Sequence, residues 1–479
     1  MREKCAVVGV FDPEMATELA ASAIRVLDHR GPHATGIGGI SGDNEMVAFH
    51  APGRAREVLT EPEVAKMSAR GLTVAIAHGR YATSGGMDKA HPIKVNTGRQ
   101  AILYEENGTN SDLRPLEADL AQRGYNTDGL IDSEMNALAI GDRIKRGASA
   151  VEAIAGAYRH MIGGQAGIIA CHDLDGSPML AAYRDPCGIR PLAWGRTPGK
   201  GYMFASETIG LDEAGATIGG EVPPGGLMTV SHNGLKHYQL APPNPKFDPF
   251  ELLYFSNKRS LFKGQPIGDI RAALGRRLAE EYGFDSSSNG VIGIPNTAIT
   301  FAAGYAAATD IEHRQEILRK NSTARAFLGN TAKDRQNIRN GLYTLQDHLV
   351  KGGEFDLVDD SLLRNGNAPF VNRLFREAGA AAVRLYIGSP PIRYPNFYGT
   401  NIPHQRELVA SHQSAEQIRR DTGVDSLGYL SLEGMLETFY DMTGESDSNF
   451  DLSCFTGDYR HTSIGPRDIY EPIYADYSA

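Results

Sequence analysis

Met1-Arg2-Glu3-Lys4-Cys5-Ala6-Val7-Val8-Gly9-Val10-Phe11 decides how this chain is read. Cys5 heads an apolar, β-branched run of strand character. A thiol is a strong nucleophile once a base takes its proton. Removal of Met1 to Lys4 would leave Cys5 with its own α-amino group. The ordinary pKa of that amine, about 7.7–8.0, suits a base at neutral pH. The alternative is a small buried cysteine at a strand start, so the decision rests on what else the chain brings.

The 479 residues suggest two or three domains with more than one core. A net charge of −10 argues against a nucleic-acid partner held on a broad basic face. No apolar run of about 20 residues offers a membrane span, and the start of the chain lacks a signal-peptide pattern. The four cysteines are too scattered for a disulfide framework and none forms a C-x-x-C pair. A reducing cytoplasm is the expected setting.

Residues 1–240 read as short β runs broken by glycine, proline and asparagine: 6–11, 72–77, 100–103, 167–172, 179–183 and 227–230. Helical spacing interrupts them at 13–27 and 131–144. Strands in runs with few helices predict an α+β sandwich. The proline-dense stretch Ala241-Pro-Pro-Asn-Pro-Lys-Phe-Asp-Pro249 is the expected boundary. After it helices (268–282, 300–310, 368–378) alternate with strands (290–294, 355–358, 382–387). That alternation predicts an α/β domain over 250–445 with a mainly parallel sheet and ligands at its carboxyl edge. Residues 446–479 read as an irregular tail.

A free amino-acid substrate needs a cation for its carboxylate and an anion for its ammonium. Arg30 or Arg80 supplies the first as a planar fork, and Asp132, opening a helix, supplies the second. Attack on a side-chain amide creates an oxyanion, which the Asn107 side chain and the Gly108 backbone N–H can stabilise. Asn107-Gly108-Thr109-Asn110 itself reads as a turn.

These residues stand in an order that resembles a known family. The motifs are Cys5-Ala-Val-Val-Gly9, His29-Arg-Gly-Pro-His-Ala-Thr-Gly36, His78-Gly-Arg-Tyr-Ala-Thr83, Glu106-Asn-Gly108, Asp132-Ser-Glu134, Arg184-Asp-Pro-Cys-Gly-Ile-Arg-Pro-Leu192 and Ala205-Ser-Glu207. Residues 1–240 resemble the class II glutamine amidotransferase domain, an N-terminal-nucleophile hydrolase. The whole chain resembles the glutamine phosphoribosylpyrophosphate amidotransferase family, which begins purine synthesis. The resemblance implies a propeptide at 1–4, Cys5 as nucleophile, and an oxyanion hole of Asn107 and Gly108. Glutamine would be held by Arg30, Arg80, Thr83 and Asp132. Glu106 stands where the family has a histidine.

In the second half Phe355-Asp-Leu-Val-Asp359-Asp360-Ser361 is an apolar strand ending in two acids. By resemblance to type I phosphoribosyltransferases, Asp359 and Asp360 would face ribose hydroxyls and Mg²⁺, with Ser361 and Arg364 contacting substrate. Ile294-Pro-Asn-Thr297, Lys320-Asn321 and Arg325-Ala-Phe327 resemble further family segments. The phosphate loop departs, with Arg364-Asn-Gly-Asn-Ala368 lacking the family's two threonines. Some members hold an iron–sulfur cluster on four cysteines. The equivalents here are Asp248, Asn396, Ser448 and Asp451, so no such cluster is expected. The resemblance implies glutamine and phosphoribosyl pyrophosphate as ligands and a homo-oligomer. Two alternatives stay open: ammonia delivered to a different acceptor, or a second domain that has lost its catalysis.

Overall fold

The computed structural model describes residues 5–81, 89–98, 101–282, 287–320, 343–364, 366–398 and 405–459. Thr83 and Asn321–Phe327 lie outside them.

The apolar run after Cys5 forms β1 (Ala6–Phe11), central in a seven-stranded antiparallel sheet. Its neighbours are β4 (Leu72–Arg80) and β10 (Tyr202–Ala205). β2 (Ala34–Ser41) and β3 (Met46–Pro52) extend one side, and β9 (Ala193–Arg196) and β11 (Thr217–Glu221) the other. A second antiparallel sheet runs in the order β13 (Gly234–Gln239), β12 (Gly226–Ser231), β8 (Pro178–Arg184), β7 (Ile162–His172), β6 (Ala101–Asp112), β5 (Ile93–Asn96).

Side-chain alternation along each strand makes the layers. Val7, Val74 and Ile76 of the first sheet meet Leu103, Ile168 and Leu180 of the second in one inner core. The outward set Ala6, Val8 and Val10 is covered by helix Ala16–Val26 through Leu19, Ala20, Ala23 and Ile24. Tyr104 and Tyr183 on the far face of the second sheet pack under helices Asp132–Lys145 and Ala150–Tyr158. The result is the four-layer sandwich of an N-terminal-nucleophile hydrolase.

One expectation fails here. Asn107-Gly108 is not a turn; it lies inside the 12-residue strand β6. Asn-Gly favours a hairpin only where nothing else competes, and here Asn107 pairs with Ala166 and Gly108 with Gln165 of β7. A Cβ on residue 108 would fall 2.6 Å from the Gly164 carbonyl oxygen, so the close strand approach needs glycine.

In the second half the strands Val291–Gly293, Glu354–Asp359, Ala382–Ile387 and Ser426–Tyr429 lie in that order, all parallel. Helices Ile267–Tyr282, Ile299–Thr309 and Leu432–Thr443 pack on one face. Helices Ala368–Glu377 and Ala415–Thr422 pack on the other.

Of the tail expected over 446–479, the described part, 446–459, packs against the second half. Phe247 N–H donates to the Asn449 carbonyl at 2.7 Å, and Phe450, Cys454 and Phe455 are buried in the core of the second half. Two turns of helix, Asp447–Asn449 and Ser453–Thr456, are too short to show a period in sequence.

Candidate active site

The register that pairs Ala6 with Gly79 brings Cys5 to the level of Arg80 at the end of β4. Arg80 is buried, and its backbone carbonyl accepts the His33 N–H at 3.0 Å. Alternation on β6 places Asn107 on the inner face with Leu103, toward the sheet that carries Cys5. Asn107 is 1% exposed, and among the described residues its Nδ2 finds no acceptor. A desolvated amide N–H without an acceptor is costly.

Asp132 begins its helix behind that strand. It accepts from Asn110 N–H at 3.1 Å, Thr109 Oγ1 at 3.2 Å and Ser133 N–H at 2.9 Å. Burial raises its pKa, and these bonds only partly offset that. The strand registers and these contacts bring Cys5, Arg80, Asn107, Gly108 and Asp132 to one end of the sandwich.

Arg30 is a correction. It is fully buried and spends its fork on protein carboxylates. Nη1 donates to Glu207 Oε1 at 2.7 Å and Glu251 Oε2 at 2.8 Å, and Nη2 donates to Glu251 Oε1 at 2.6 Å. Nε donates to the Cys5 carbonyl at 3.2 Å. Arg30 thus ties down the Cys5 backbone and has its fork occupied by Glu207 and Glu251. Burial pushes Glu207 upward, but His29 and Arg30 overcome it and hold this carboxyl well below its usual range. Glu251 is lowered as well, Arg30 outweighing burial. Nothing in the apolar stretch Glu251-Leu-Leu-Tyr-Phe255 signals this role. Tyr254, in the same π-helical turn, is raised above its usual value by burial and then by the charges of Asp360 and Asp359.

Asp359 and Asp360 end the Glu354–Asp359 strand at the carboxyl edge of the parallel sheet. Both are buried; Asp360 N–H donates to Asp359 Oδ1 at 3.0 Å and Ser361 Oγ donates to Asp360 Oδ2 at 2.8 Å. Burial and then the charge of Asp360 push Asp359 well above the usual range. Lys320 also faces Asp360. Arg364 forms an ion pair with Glu407.

Of the four positions compared with cluster cysteines in the sequence, Asp248, Asn396 and Asp451 are buried and Ser448 is exposed. Asn396 Nδ2 donates to Asp451 Oδ2 at 3.1 Å, and Lys246 donates to the Ser448 carbonyl. Asp248 is pushed to about 7 by burial and the charge of Glu251. Cys454, beside them, is fully buried, and burial raises its thiol further. Among the described residues no group of three histidine, cysteine or acidic side chains is placed to hold a metal ion, and no helix is long and apolar enough to cross a membrane.

A glutamine amidotransferase domain model matches residues 78–213. The chain is 32% identical over 466 residues to the amidophosphoribosyltransferase of Synechococcus elongatus, covering 95% of this chain and 91% of that protein. It is 31% identical over 486 residues to the Bacillus subtilis amidophosphoribosyltransferase, covering 98% and 96%. The solved structure of the B. subtilis glutamine phosphoribosylpyrophosphate amidotransferase, complexed with ADP and GMP, superposes with a TM-score of 0.86 at 30% identity over 97% of this chain and 98% of that one. With its sandwich, its parallel sheet and its motifs similar across nearly their full length, this chain belongs to the amidophosphoribosyltransferase family.

Proposed function

We propose that this chain hydrolyses glutamine at Cys5 and passes the ammonia to phosphoribosyl pyrophosphate, yielding phosphoribosylamine and pyrophosphate. The observation that carries the glutaminase half is the buried Nδ2 of Asn107, without an acceptor among the described residues, beside the strand headed by Cys5. Once residues 1–4 are removed, the Cys5 α-amine takes the thiol proton and the sulfur attacks the carboxamide carbon. Asn107 Nδ2 and the Gly108 N–H receive the oxyanion. Collapse, with the proton passed from the Cys5 α-ammonium to the leaving nitrogen, expels ammonia and leaves a thioester, which water hydrolyses to glutamate and the free thiol. Arg80 holds the α-carboxylate, Asp132 the α-ammonium, and Thr83 joins them.

The acceptor half rests on Asp359 and Asp360. A hard divalent cation takes oxygen ligands, commonly one or two carboxylates with substrate phosphates. Two buried acids, one raised by its neighbour's charge, fit such a partner. When bound, Mg²⁺ neutralises the pyrophosphate leaving group. Asp359 and Asp360 also orient the ribose hydroxyls, Ser361 adds a hydroxyl, and Arg364 exchanges Glu407 for phosphate. Self-association and a cytoplasmic setting are part of the same reading.

The test is glutamate release from glutamine, with and without phosphoribosyl pyrophosphate and Mg²⁺, while pyrophosphate is followed. Coupled release of both products is expected. Glutamate release indifferent to phosphoribosyl pyrophosphate, with no pyrophosphate formed, would overturn the acceptor. Glutamate release that survives Cys5→Ala would overturn the nucleophile.

A further inference from the structure

Glu106 immediately precedes the oxyanion donors, yet nothing in the proposed reaction uses it. It is 4% exposed and held at both ends. Its backbone carbonyl lies 3.0 Å from His78 Nε2, on the strand beside β1. Burial keeps the His78 ring neutral by lowering it to about 3, so Nε2–H donates. On the opposite side of β6, Glu106 Oε2 accepts from Tyr104 Oη and from Asn136 Nδ2, the latter at 2.8 Å. Asn136 Oδ1 accepts from Asn110 Nδ2 at 3.0 Å, and Gln165 Nε2 donates to Asn110 Oδ1. Asn110 N–H in turn donates to Asp132. Tyr183 Oη lies 2.7 Å from Tyr104 Oη and closes the chain.

We propose that Glu106 is a positioning residue for glutamine hydrolysis: it clamps the Asn107–Asn110 stretch from behind and sets the charge of the ammonium pocket together with Asp132. The inference rests on the glutaminase reading given above. The clamp is geometric: the residue before Asn107 is pinned by His78 on one side and by Asn136 on the other. The charge role follows from the hydrogen-bond chain: Asn136 donates to Glu106 and accepts from Asn110, whose N–H donates to Asp132. Burial, and then the charge of Asp132, push Glu106 up to about 8. Below that pH the carboxyl is neutral and the pocket holds one acid; above it the pocket gains a second negative charge.

The other titratable groups facing this site stay constant in that window. Burial lowers His78 and His91 and raises Tyr104 and Tyr183 well above their usual values. Asp132 is raised from an acidic start. The Cys5 α-amine does titrate near there, and it does so in wild type and variants alike.

The test measures KM and kcat for glutamine from pH 6.5 to 8.5 in wild type, Glu106→Gln and Glu106→Ala. Synthesis from free ammonia serves as the control for folding. The wild-type KM is expected to fall roughly three- to tenfold as Glu106 ionises, and the Gln variant should lose that fall. The Ala variant should lose kcat at least about tenfold, with Gln restoring most of it and ammonia-dependent synthesis intact in both. KM profiles that run parallel in wild type and Glu106→Gln would overturn the charge role. Wild-type kcat and KM in Glu106→Ala would overturn the clamp. The glutaminase reading fails separately, through glutamate release by Cys5→Ala.

Discussion

Two pairs of neighbouring acids, Glu105–Glu106 and Asp359–Asp360, are all buried, yet they behave differently. Glu105 and Glu106 sit in mid-strand, where successive side chains leave on opposite faces. Glu105 turns inward and accepts the Val8 N–H at 3.1 Å; Glu106 turns outward to Asn136. Burial raises each separately, and neither is set by the other's charge. Asp359 and Asp360 sit where the strand ends, so alternation no longer separates them and the charge of Asp360 acts directly on Asp359. Mid-strand, neighbouring acids become two structural ties. At a strand end they become one charged site that gains from a cation.

The largest effect should come from the strand-end pair. Asp359→Asn with Asp360→Asn is expected to abolish pyrophosphate release and leave glutamate release in the absence of phosphoribosyl pyrophosphate standing. Pyrophosphate formation at the wild-type rate would show that the pair is structural after all. The next effect concerns a pair of acids that do share a cation. Arg30→Met removes the cation shared by buried Glu207 and Glu251 and leaves only His29 near the first and Arg190 near the second, a loss of about 3–5 kcal/mol, read as the shift in a urea unfolding curve. Both carboxyls are held below their unfolded values. Their stabilisation is therefore full above the unfolded value, about 4.3, and is lost as the pH falls through the lower folded values. Acid should steepen the loss in wild type more than in Arg30→Met; equal acid sensitivity would remove Arg30 as the shared cation.

Local signals carried much of the architecture. The strand read at Ala6–Phe11 and the strand read at Ala382–Ile387 coincide with observed strands, because an apolar β-branched run needs no distant information to extend. The reading failed where distant partners decide. Asn107-Gly108 looks like a hairpin until β7, more than 50 residues away, pairs with it. Arg30 looks like a substrate cation until Glu207 and Glu251 arrive from 177 and 221 residues along the chain. Tyr104 and Asn136 carry no motif at all, and their value is legible only from the far side of the strand they support.

Glu105 offers the finest test of the comparison, because it is the mid-strand acid with the least company. It is fully buried, one oxygen accepts from Val8 N–H, and the other has no partner among the described residues. Burial pushes it well above its usual value, so the folded chain keeps it protonated while the unfolded chain ionises it. A raised carboxyl contributes its full stability below the unfolded value, about 4.3, and loses it as the pH climbs toward the folded value. Glu105→Gln preserves the acceptor for Val8 and removes the titration. The variant should therefore match wild type within about 1 kcal/mol in acid. It should then gain on wild type by up to about 1.4 kcal/mol for each pH unit climbed between those two values. Unfolding curves taken at several pH values read this directly. A constant difference would mean that Glu105 is ionised in the fold, held by a charge on the inner face, and that the two mid-strand acids are not independent ties.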